Sequence, residues 1–317
     1  MPEHHLVSIV TPSYNQSRYI EETIQSVLLQ DYPAIEYLII DGGSTDGSVE
    51  IIRRYATRLS YWVSEPDVGQ ADAINKGWQR ARGDIIAYIN SDDLYLPGAI
   101  HRAVHYFEQH PEVGIVCGAC QLIGKDGKPL RAPVEVPEIS LEWLLRYPLP
   151  QPAVFFRRSV IEQIGLLDPA LHYVLDWEFC IRAAMTGIPI ARLMGSPIAC
   201  FRCWESQKTN NSFMHQIEEQ VLVRDRLLLN PQVSATLAKA ITFSKAWAFL
   251  WPAYQHYLRG QMGSARNLLR LAVTFDRRIA IHPEFLGLYA RALLGYRFSM
   301  YARNIKSSLS RNKFGCN

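Results

Sequence analysis

The stretch RGDIIAYINSDDLYLPG, residues 82–98, decides how this chain is expected to fold. Its apolar run, residues 85–89, is too short for a helix and is rich in residues that favour strands. The run ends directly in the polar quartet NSDD, residues 90–93. Open α/β sheets bind ligands at the carboxyl ends of their strands, and carboxylates are hard oxygen ligands. We therefore predict a metal and nucleotide-diphosphate site at this strand end.

Three strand-and-helix units precede this stretch along the chain. The first strand is followed by a loop at residues 11–15, because proline and asparagine interrupt a ladder. Strands that alternate with amphipathic helices predict βαβ units, and hence an α/β fold with a mostly parallel sheet. The predicted strands cover residues 6–10, 37–40 and 61–63, and the predicted helices cover residues 19–30, 49–55 and 71–81.

Acidic or amide residues follow three successive strands, at Asp41, at Asp67 and at residues 90–93. Each residue taken alone is explained as a turn former or a helix cap. Parallel strands, however, deliver all these loops to one edge of the sheet. Their convergence favours a binding site over three unrelated turns.

The second half of the chain continues the α/β pattern and then becomes helical. A helix is predicted at 100–109, a strand at 113–119 with a partner strand near 121–123, and further strands at 151–156 and 197–202. The proline-punctuated segment 131–150 either covers an acceptor cleft or packs as a connector, and both interpretations stay open. From about residue 217 onwards the apolar spacing is helical throughout.

Composition is that of a globular protein in a reducing compartment. Of the 317 residues, 48% are hydrophobic and 20% are charged, and the net charge of +3 is too small to indicate nucleic-acid binding. The amino terminus enters a strand at once, and no apolar run of about 18 residues lacks a charge or proline. A cytoplasmic location is therefore expected. Cys117/Cys120 and Cys200/Cys203 have zinc-like spacing but lie in strand-like runs, so buried reduced thiols are expected instead.

Four blocks together resemble the family 2 glycosyltransferases of the GT-A fold, in that family's order and spacing. They are VSIVTPSYN at 7–15, DGGSTD at 41–46, SEPDVG at 64–69 with DAINKG at 72–77, and NSDD at 90–93. The resemblance covers about residues 6–215. It implies a Rossmann-like GT-A domain at 1–215, with a nucleotide-sugar-binding half at 1–98 and an acceptor-binding half at 99–215. An α-helical extension would follow at 216–317.

The resemblance also implies roles for residues of the nucleotide pocket. Thr11, Pro12 and Tyr14 would hold the base and ribose, and Asp41 would accept a hydrogen bond from the base. Asp67 and Gly69 would line the nucleoside pocket, where glycine allows close approach of the backbone.

The same resemblance assigns the metal. Asp92 would bind Mn²⁺ or Mg²⁺, with Asp93 in support, and Asn90 and Ser91 would belong to the nucleotide-binding group. The chain departs from the common pattern at Asn90, where many members have aspartate. Asparagine can still bond a ribose hydroxyl, but one carboxylate is lost.

Asp176 best matches the family's catalytic base, with Glu178 as the second candidate. Leu175 stands where many members have glutamate, so this match is partial, and Asp176 could instead cap the helix that follows. Trp204 stands where many relatives have a histidine, which removes one metal or phosphate ligand. Arg202 or Lys208 could take up the phosphate contact instead.

The predicted function is metal-dependent, inverting transfer of a sugar from a nucleotide sugar, UDP-sugar favoured, to an acceptor hydroxyl. The setting implied by the resemblance is polysaccharide or glycoconjugate assembly, with a saccharide or lipid-linked acceptor and no nucleic-acid partner. A sugar nucleotidyltransferase is one rival, but it requires a glycine-rich basic loop where this chain has TPSYN. The other rival is a non-catalytic nucleotide-sugar-binding protein, in which Asn90 and Trp204 mark a decayed site.

The carboxyl-terminal tail is basic. No acidic residue follows Glu284, whereas arginines and lysines alternate with apolar residues up to Lys313. Such a tail could contact an anionic membrane at the inner face, where lipid-linked acceptors reside, or it could be a solvated terminus. Both interpretations stay open.

Overall fold

The computed structural model describes residues 4–205, 207 and 212–294. The chain divides into two compact units, Met1–Asn211 and Ser212–Asn317. The sequence analysis sets the corresponding boundary between 215 and 216. The first helix of the second unit begins at Phe213, so residues 213–215 belong to the helical unit.

The first unit is an α/β structure built on a mostly parallel sheet, as predicted. Among the described residues, seven strands form this sheet in the order β3-β2-β1-β4-β8-β6-β9, and β8 alone runs against its neighbours. A second, smaller sheet has the order β5-β10-β7. The strands are β1 (Val7–Ser13), β2 (Ile35–Asp41), β3 (Tyr61–Ser64), β4 (Ile85–Tyr88), β5 (Leu94–Tyr95), β6 (Ile115–Gly118), β7 (Cys120–Ile123), β8 (Val154–Arg157), β9 (Ile190–Leu193) and β10 (Ala199–Arg202).

Helices connect the parallel strands and bury one face each. In the first helix, Ile20, Ile24 and Val27 are buried, whereas Glu21 and Glu22 lie in its first turn, where carboxylates favour the positive end of the helix dipole. The helices of this unit are α1 (Ile20–Leu28), α2 (Ser48–Arg54), α3 (Gln70–Arg80), α4 (Ala99–Gln109), α5 (Leu141–Leu144), α6 (Arg158–Ile164) and α7 (Leu175–Met185).

Strand β1 extends further than the sequence predicts. Residues 11–13 were expected in a loop, but Pro12 pairs with Ile40 and Ser13 with Asp41 in the parallel ladder to β2. On the other side, the pairing of β1 with β4 ends at Val10 and Tyr88. Proline is tolerated because this end of β1 has a strand partner on one side only, as on an edge strand.

The predicted pairing of residues 113–119 with residues 121–123 is wrong. Strand β7 joins the small sheet and pairs with β10, whereas β6 pairs with β8 and β9. Ala119 alone separates β6 from β7, and even a tight hairpin needs two connecting residues. The chain therefore passes from one sheet to the other at this residue. This crossing places Cys117 in the large sheet and Cys120 in the small one. Both thiols are buried and free.

The second unit is helical, as predicted. Its helices are α8 (Phe213–Leu228), α9 (Ala235–Trp247), α10 (Leu250–Leu258), α11 (Met262–Phe275) and α12 (Pro283–Leu294). The buried Arg224 guanidinium of α8 donates to Ser244 Oγ of α9 at 2.8 Å and so ties these two helices together. Across residues 4–205 and 212–294, no helix is both long enough and apolar enough to span a membrane. The basic tail beyond Leu294 lies outside the described residues.

Candidate active site at the carboxyl end of the sheet

Polar residues lie next to one another at the carboxyl ends of β1, β2 and β3. The parallel register places Ser13, Asp41 and Ser64 side by side in one row across the three strands. The backbone N–H of Gly42 donates to the Ser13 carbonyl at 2.8 Å, so the turn after β2 closes against β1.

Asp41 organises this turn. Its Oδ2 accepts hydrogen bonds from the Gly43 and Ser44 backbone N–H groups at 3.1 and 2.8 Å and from Ser64 Oγ at 2.7 Å. Its Oδ1 accepts from Ser44 Oγ at 2.6 Å. Asp41 is fully buried, so its carboxylate is largely satisfied within the protein.

Asp67 lies over the same turn and is more accessible. Its carboxylate packs against Gly42, where a Cβ atom would lie only 2.5 Å from Oδ2. Gly42 therefore permits the close approach of Asp67. Asp67 Oδ1 accepts from the Gly69 N–H at 2.9 Å, and Gly69 has φ 125°, a conformation that L side chains rarely adopt. Burial, the largest cause, raises the pKa of Asp67.

The end of β1 presents fewer side chains than expected. Thr11 and Pro12 are buried, and Thr11 Oγ1 lies 3.0 Å from the Tyr37 hydroxyl. Tyr14 is 63% exposed. Ser13, in the loop expected to hold the base and ribose, has a buried hydroxyl with no hydrogen-bond partner among the described residues.

Asp92 and Asp93 form a pair of buried carboxylates directly after β4. Burial raises the pKa of Asp92, and burial together with the Asp92 charge raises the pKa of Asp93 well above its usual range. Both Asp93 oxygens have partners: Oδ1 accepts from the Arg202 backbone N–H at 2.9 Å, and Oδ2 accepts from Asn90 Nδ2 at 3.3 Å. Asp92 Oδ2 accepts from Trp204 Nε1 at 2.9 Å.

This pair fits a divalent cation. Two adjacent buried carboxylates repel each other, and a cation at the site would offset that repulsion. Asp92 is 8% exposed and Asp93 is fully buried, so Asp92 is the residue that an ion can reach. Within the described part of the chain, no group of three histidine, cysteine, aspartate or glutamate side chains could hold a metal. An ion held here would complete its coordination with other oxygen ligands such as water, as Mg²⁺ usually does.

Asn90 links this pair to the rest of the site. Its Oδ1 accepts from Gln70 Nε2 at 2.7 Å, and its Nδ2 also donates to Gln151 Oε1 at 3.2 Å. Gln151 in turn donates from Nε2 to the Tyr88 carbonyl at 2.8 Å. An aspartate at position 90 would have no N–H group to donate to the Asp93 carboxylate.

Arg202 is not available for a phosphate. It is 1% exposed, its Nε donates to the Asp92 carbonyl at 2.9 Å, and its guanidinium pairs with Glu22 at 2.7 Å. Lys208, the other expected phosphate contact, lies outside the described residues.

Asp176 lies in the first turn of α7, beside a mostly apolar cavity. Trp78, Phe156 and Phe179 line this cavity together with Gln151. Burial raises the pKa of Asp176 to about 6, although the Trp177 backbone N–H lowers it in part. A carboxyl group that titrates near 6 can take up a proton under ordinary conditions.

The two acidic centres lie close to each other. The pKa of Tyr88 is raised well above its usual range by burial, and then by the charges of Asp176, Cys180 and Asp93. Gln151 bonds Asn90 and also lines the cavity at Asp176. Residues 90–93 and Asp176 are therefore joined through Tyr88 and Gln151.

Glu178 is engaged elsewhere. Both of its carboxylate oxygens accept from Arg182, at 2.9 Å each, in an ion pair between residues one helical turn apart. This pairing favours a structural role on α7.

The sequence did not predict the surroundings of three residues at the site. Ser13 stood in the loop expected to hold the base and ribose, Gln151 in a predicted strand, and Trp204 was treated as the loss of a ligand. Gln151 and Trp204 contact their partners across large sequence separations, 61 residues for Gln151 with Asn90 and 112 for Trp204 with Asp92. No local sequence pattern reports contacts of that kind.

Known proteins resemble this chain in sequence. The model of glycosyl transferase family 2 matches residues 8–164. An uncharacterized glycosyltransferase of Mycobacterium tuberculosis is 32% identical over 203 residues, which is 62% of this chain and 73% of the relative. TuaG of Bacillus subtilis, named as a candidate teichuronic acid biosynthesis glycosyltransferase, is 35% identical over 136 residues, which is 42% of this chain and 54% of the relative.

Solved structures share the fold. Staphylococcus aureus TarS 1-349, in complex with UDP-GlcNAc, superposes with a TM-score of 0.61 at 17% identity, covering 90% of this chain and 89% of that one. The mannosyltransferase PcManGT from Pyrobaculum calidifontis, in complex with GDP-Man and Mn²⁺, gives 0.62 at 18% identity, covering 92% and 85%. Together with the sheet order and the strand-end carboxylates, these matches show that the chain has the GT-A fold and belongs to the family 2 glycosyltransferases.

Proposed function

We propose that this glycosyltransferase is metal-dependent and inverting, and that it moves a sugar from a UDP-sugar to an acceptor hydroxyl. The observation that carries the proposal is the presence of two neighbouring carboxylate centres with different surroundings. Asp92 and Asp93 form a buried pair suited to a cation, whereas Asp176 stands beside an apolar cavity with a pKa of about 6. Titratable groups in distinct environments at one site suit distinct roles.

Asp67 is the proposed acceptor for the nucleotide base. Asp41 was expected in this role, but its oxygens already accept three hydrogen bonds from its turn and one from Ser64 of β3. Asp67 is accessible, and it lies against Gly42, where backbone and carboxylate can both approach a planar base. A carboxylate acceptor suits the ring N–H of uracil or of guanine, whereas adenine and cytosine offer no such donor. Asp41 would then shape the pocket, and Gly69 and Tyr14 would line it.

Asp92 would hold Mn²⁺ or Mg²⁺, and Asp93 would support it by fixing the neighbouring backbone. Carboxylate and diphosphate oxygens suit these hard cations. When bound, the ion neutralises charge on the departing diphosphate.

Arg18 is the proposed replacement for the missing phosphate contact. Its guanidinium is exposed and lies 5.2 Å from the centre of the Tyr19 ring. The same ring is 5.5 Å from the ring of Trp204, which bonds Asp92. A cation at this place would face the diphosphate of a metal-bound donor.

Asp176 would act as the general base. The acceptor oxygen attacks the anomeric carbon from the face opposite the diphosphate and its proton passes to Asp176, while the bond from the anomeric carbon to the diphosphate breaks. One base is sufficient for this displacement, so no protein nucleophile is needed. Glu178 is disfavoured because Arg182 holds both of its oxygens.

The proposed acceptor is a saccharide or a lipid-linked saccharide in polysaccharide or glycoconjugate assembly. The name of the Bacillus subtilis relative supports this setting. Leu149, from the proline-punctuated segment, lines the Asp176 cavity, which supports the interpretation that this segment covers the acceptor cleft. We further propose that the enzyme acts in the cytoplasm and that its basic tail contacts the inner face of the membrane.

A thermal-shift screen of nucleotide sugars with Mn²⁺ tests the donor proposal. A ligand at about 100 times its dissociation constant adds about 2.7 kcal/mol of apparent stability, so a true donor is readily detected. We expect UDP-sugars to stabilise the protein in a Mn²⁺-dependent way, and Asp92→Ala to abolish the effect of the metal. Stabilisation by ADP- or CDP-sugars in place of UDP-sugars would contradict the role given to Asp67.

A further inference from the structure

Trp204 makes a direct hydrogen bond to the carboxylate that is proposed to hold the metal. Its indole Nε1–H donates to Asp92 Oδ2 at 2.9 Å. An indole N–H can only donate, so the bond requires an acceptor oxygen on Asp92 and favours its charged form. Trp204 therefore does not merely replace the histidine found in many relatives, because it also binds the Asp92 carboxylate.

The bond leaves one side of the Asp92 carboxylate for a cation. The indole occupies Oδ2, so an ion held through a single carboxylate oxygen would use Oδ1. Metal-bound carboxylates are commonly hydrogen-bonded through their second oxygen, and this outer bond fixes their orientation.

The Trp204 ring packs against the Tyr19 ring. The centre of the Tyr19 ring lies 5.5 Å from the centre of the Trp204 ring and 4.6 Å from the Arg202 guanidinium. Arg202 also bonds both acidic residues, with its backbone N–H on Asp93 Oδ1 and its Nε on the Asp92 carbonyl. Residues 202–204 thus donate three hydrogen bonds to the acidic pair, two from Arg202 and one from Trp204.

We propose that Trp204 is a positioning residue that orients Asp92 for the divalent cation by fixing one carboxylate oxygen with its indole N–H. This inference rests on the proposed metal-dependent function. It assigns to the segment after β10 the task of setting the metal site's geometry rather than supplying a ligand.

Trp204→Phe tests the proposal, because phenylalanine keeps the aromatic packing on Tyr19 and removes the donor. Trp251→Phe is the matched control, since Trp251 lies 53% exposed in the helical unit. The readout is the apparent dissociation constant of Mn²⁺ in the presence of UDP, measured from the electron paramagnetic resonance signal of free Mn²⁺. We expect Trp204→Phe to weaken Mn²⁺ binding by about tenfold or more, the usual effect of losing an outer-shell partner, and Trp251→Phe to leave it unchanged.

The outcomes separate this inference from the proposed function. If the unaltered protein with UDP binds no Mn²⁺, the metal-dependent function is wrong, and the inference is overturned with it. If the unaltered protein binds Mn²⁺ and Trp204→Phe binds it equally well, the inference alone is overturned.

A measurement on the unaltered side chain covers the case in which Trp204→Phe does not fold. In protein labelled with ¹⁵N-tryptophan, the Trp204 indole N–H is assigned from the resonance that moves most in Asp92→Asn. With Mg²⁺ and UDP present, we expect this N–H to exchange with water at least about tenfold more slowly than the indole of exposed Trp251, because it stays hydrogen-bonded. Exchange as fast as that of Trp251 would overturn the proposal.

Discussion

Asp176 shows how a single buried carboxyl group connects packing with chemistry. Its apolar surroundings raise its pKa to about 6, and a base must be deprotonated to accept a proton. We expect kcat/KM at saturating Mn²⁺ to fall tenfold per pH unit below about pH 6. The measurement is the pH dependence of transfer, with Glu178→Gln as the control that keeps the same inflection. A rate that stays constant from about pH 7 to about pH 5 would exclude Asp176 as the base.

The same pKa makes a prediction about stability. In the folded protein Asp176 binds its proton more tightly than in the unfolded chain, where its pKa is 3.8. Its stabilising contribution is therefore complete below about pH 4 and is lost as the pH rises through about 6. We expect Asp176→Asn to raise the free energy of unfolding by up to about 3 kcal/mol at about pH 8, with the difference vanishing in acid. Urea unfolding at both pH values measures this, and a variant less stable at about pH 8 would contradict it.

Asn90 is explained by its neighbours rather than by the ligand. We expect Asn90→Asp to reduce the free energy of unfolding by about 1–3 kcal/mol, because the buried Asp93 loses its donor and gains a like charge. Added Mn²⁺ should restore part of the loss. Asn15→Asp is the matched control, since the Asn15 Oδ1 accepts from the Thr45 N–H and a carboxylate can do the same. Equal thermal stability of the two variants would contradict this account.

Residue identities at the site were predictable where they follow a strand. Asp41, Asp67 and Asp92 could be identified because strand ends are visible in the sequence and parallel strands bring them to one edge. Which carboxylate stays accessible was not predictable. That depends on Ser44 and Ser64 satisfying Asp41, and on Gly42 admitting Asp67.

At the scale of elements, the packing of α3 against β1 depends on one glycine. A Cβ at Gly77 would overlap both γ-methyl groups of Val10, with Cγ2 at 2.8 Å. We expect Gly77→Ala to destabilise the first unit by about 1–3 kcal/mol, as overpacking does. Gly263→Ala in α11, where a Cβ meets nothing within 4 Å, should be neutral or slightly stabilising. Denaturant unfolding distinguishes the two, and equal effects would refute the packing argument.

The longer elements were predictable and the shortest were not. Helices α1 to α4 and strands β1 to β4 carry clear periodicity over several residues, so the parallel half of the sheet followed from the sequence. Strand β5 has two residues, and β9 has four, of which three are partly buried and one is exposed, so neither gave an apolar run. The exchange of β7 into the small sheet depends on pairing with β10, some eighty residues later, which periodicity does not report.

At the scale of the whole molecule, the proposed chemistry is confined to the first unit. Every residue assigned to the base pocket, the metal and the acceptor lies between Thr11 and Trp204, within Met1–Asn211. The helical unit contributes a separate core, and helicity was its one property that the sequence predicted. Activity is therefore best tested at the two acidic centres.

The most direct test of the division of labour between those centres is the rate of sugar transfer by Asp176→Asn at saturating donor and Mn²⁺. If Asp92 serves the donor and Asp176 serves the acceptor, the rate falls by about 10²- to 10⁴-fold while the dissociation constant of the donor is unchanged. Asp126→Asn, in an exposed turn, should transfer at the normal rate. Turnover by Asp176→Asn within about threefold of normal would show that another group takes the acceptor proton, and would contradict the account.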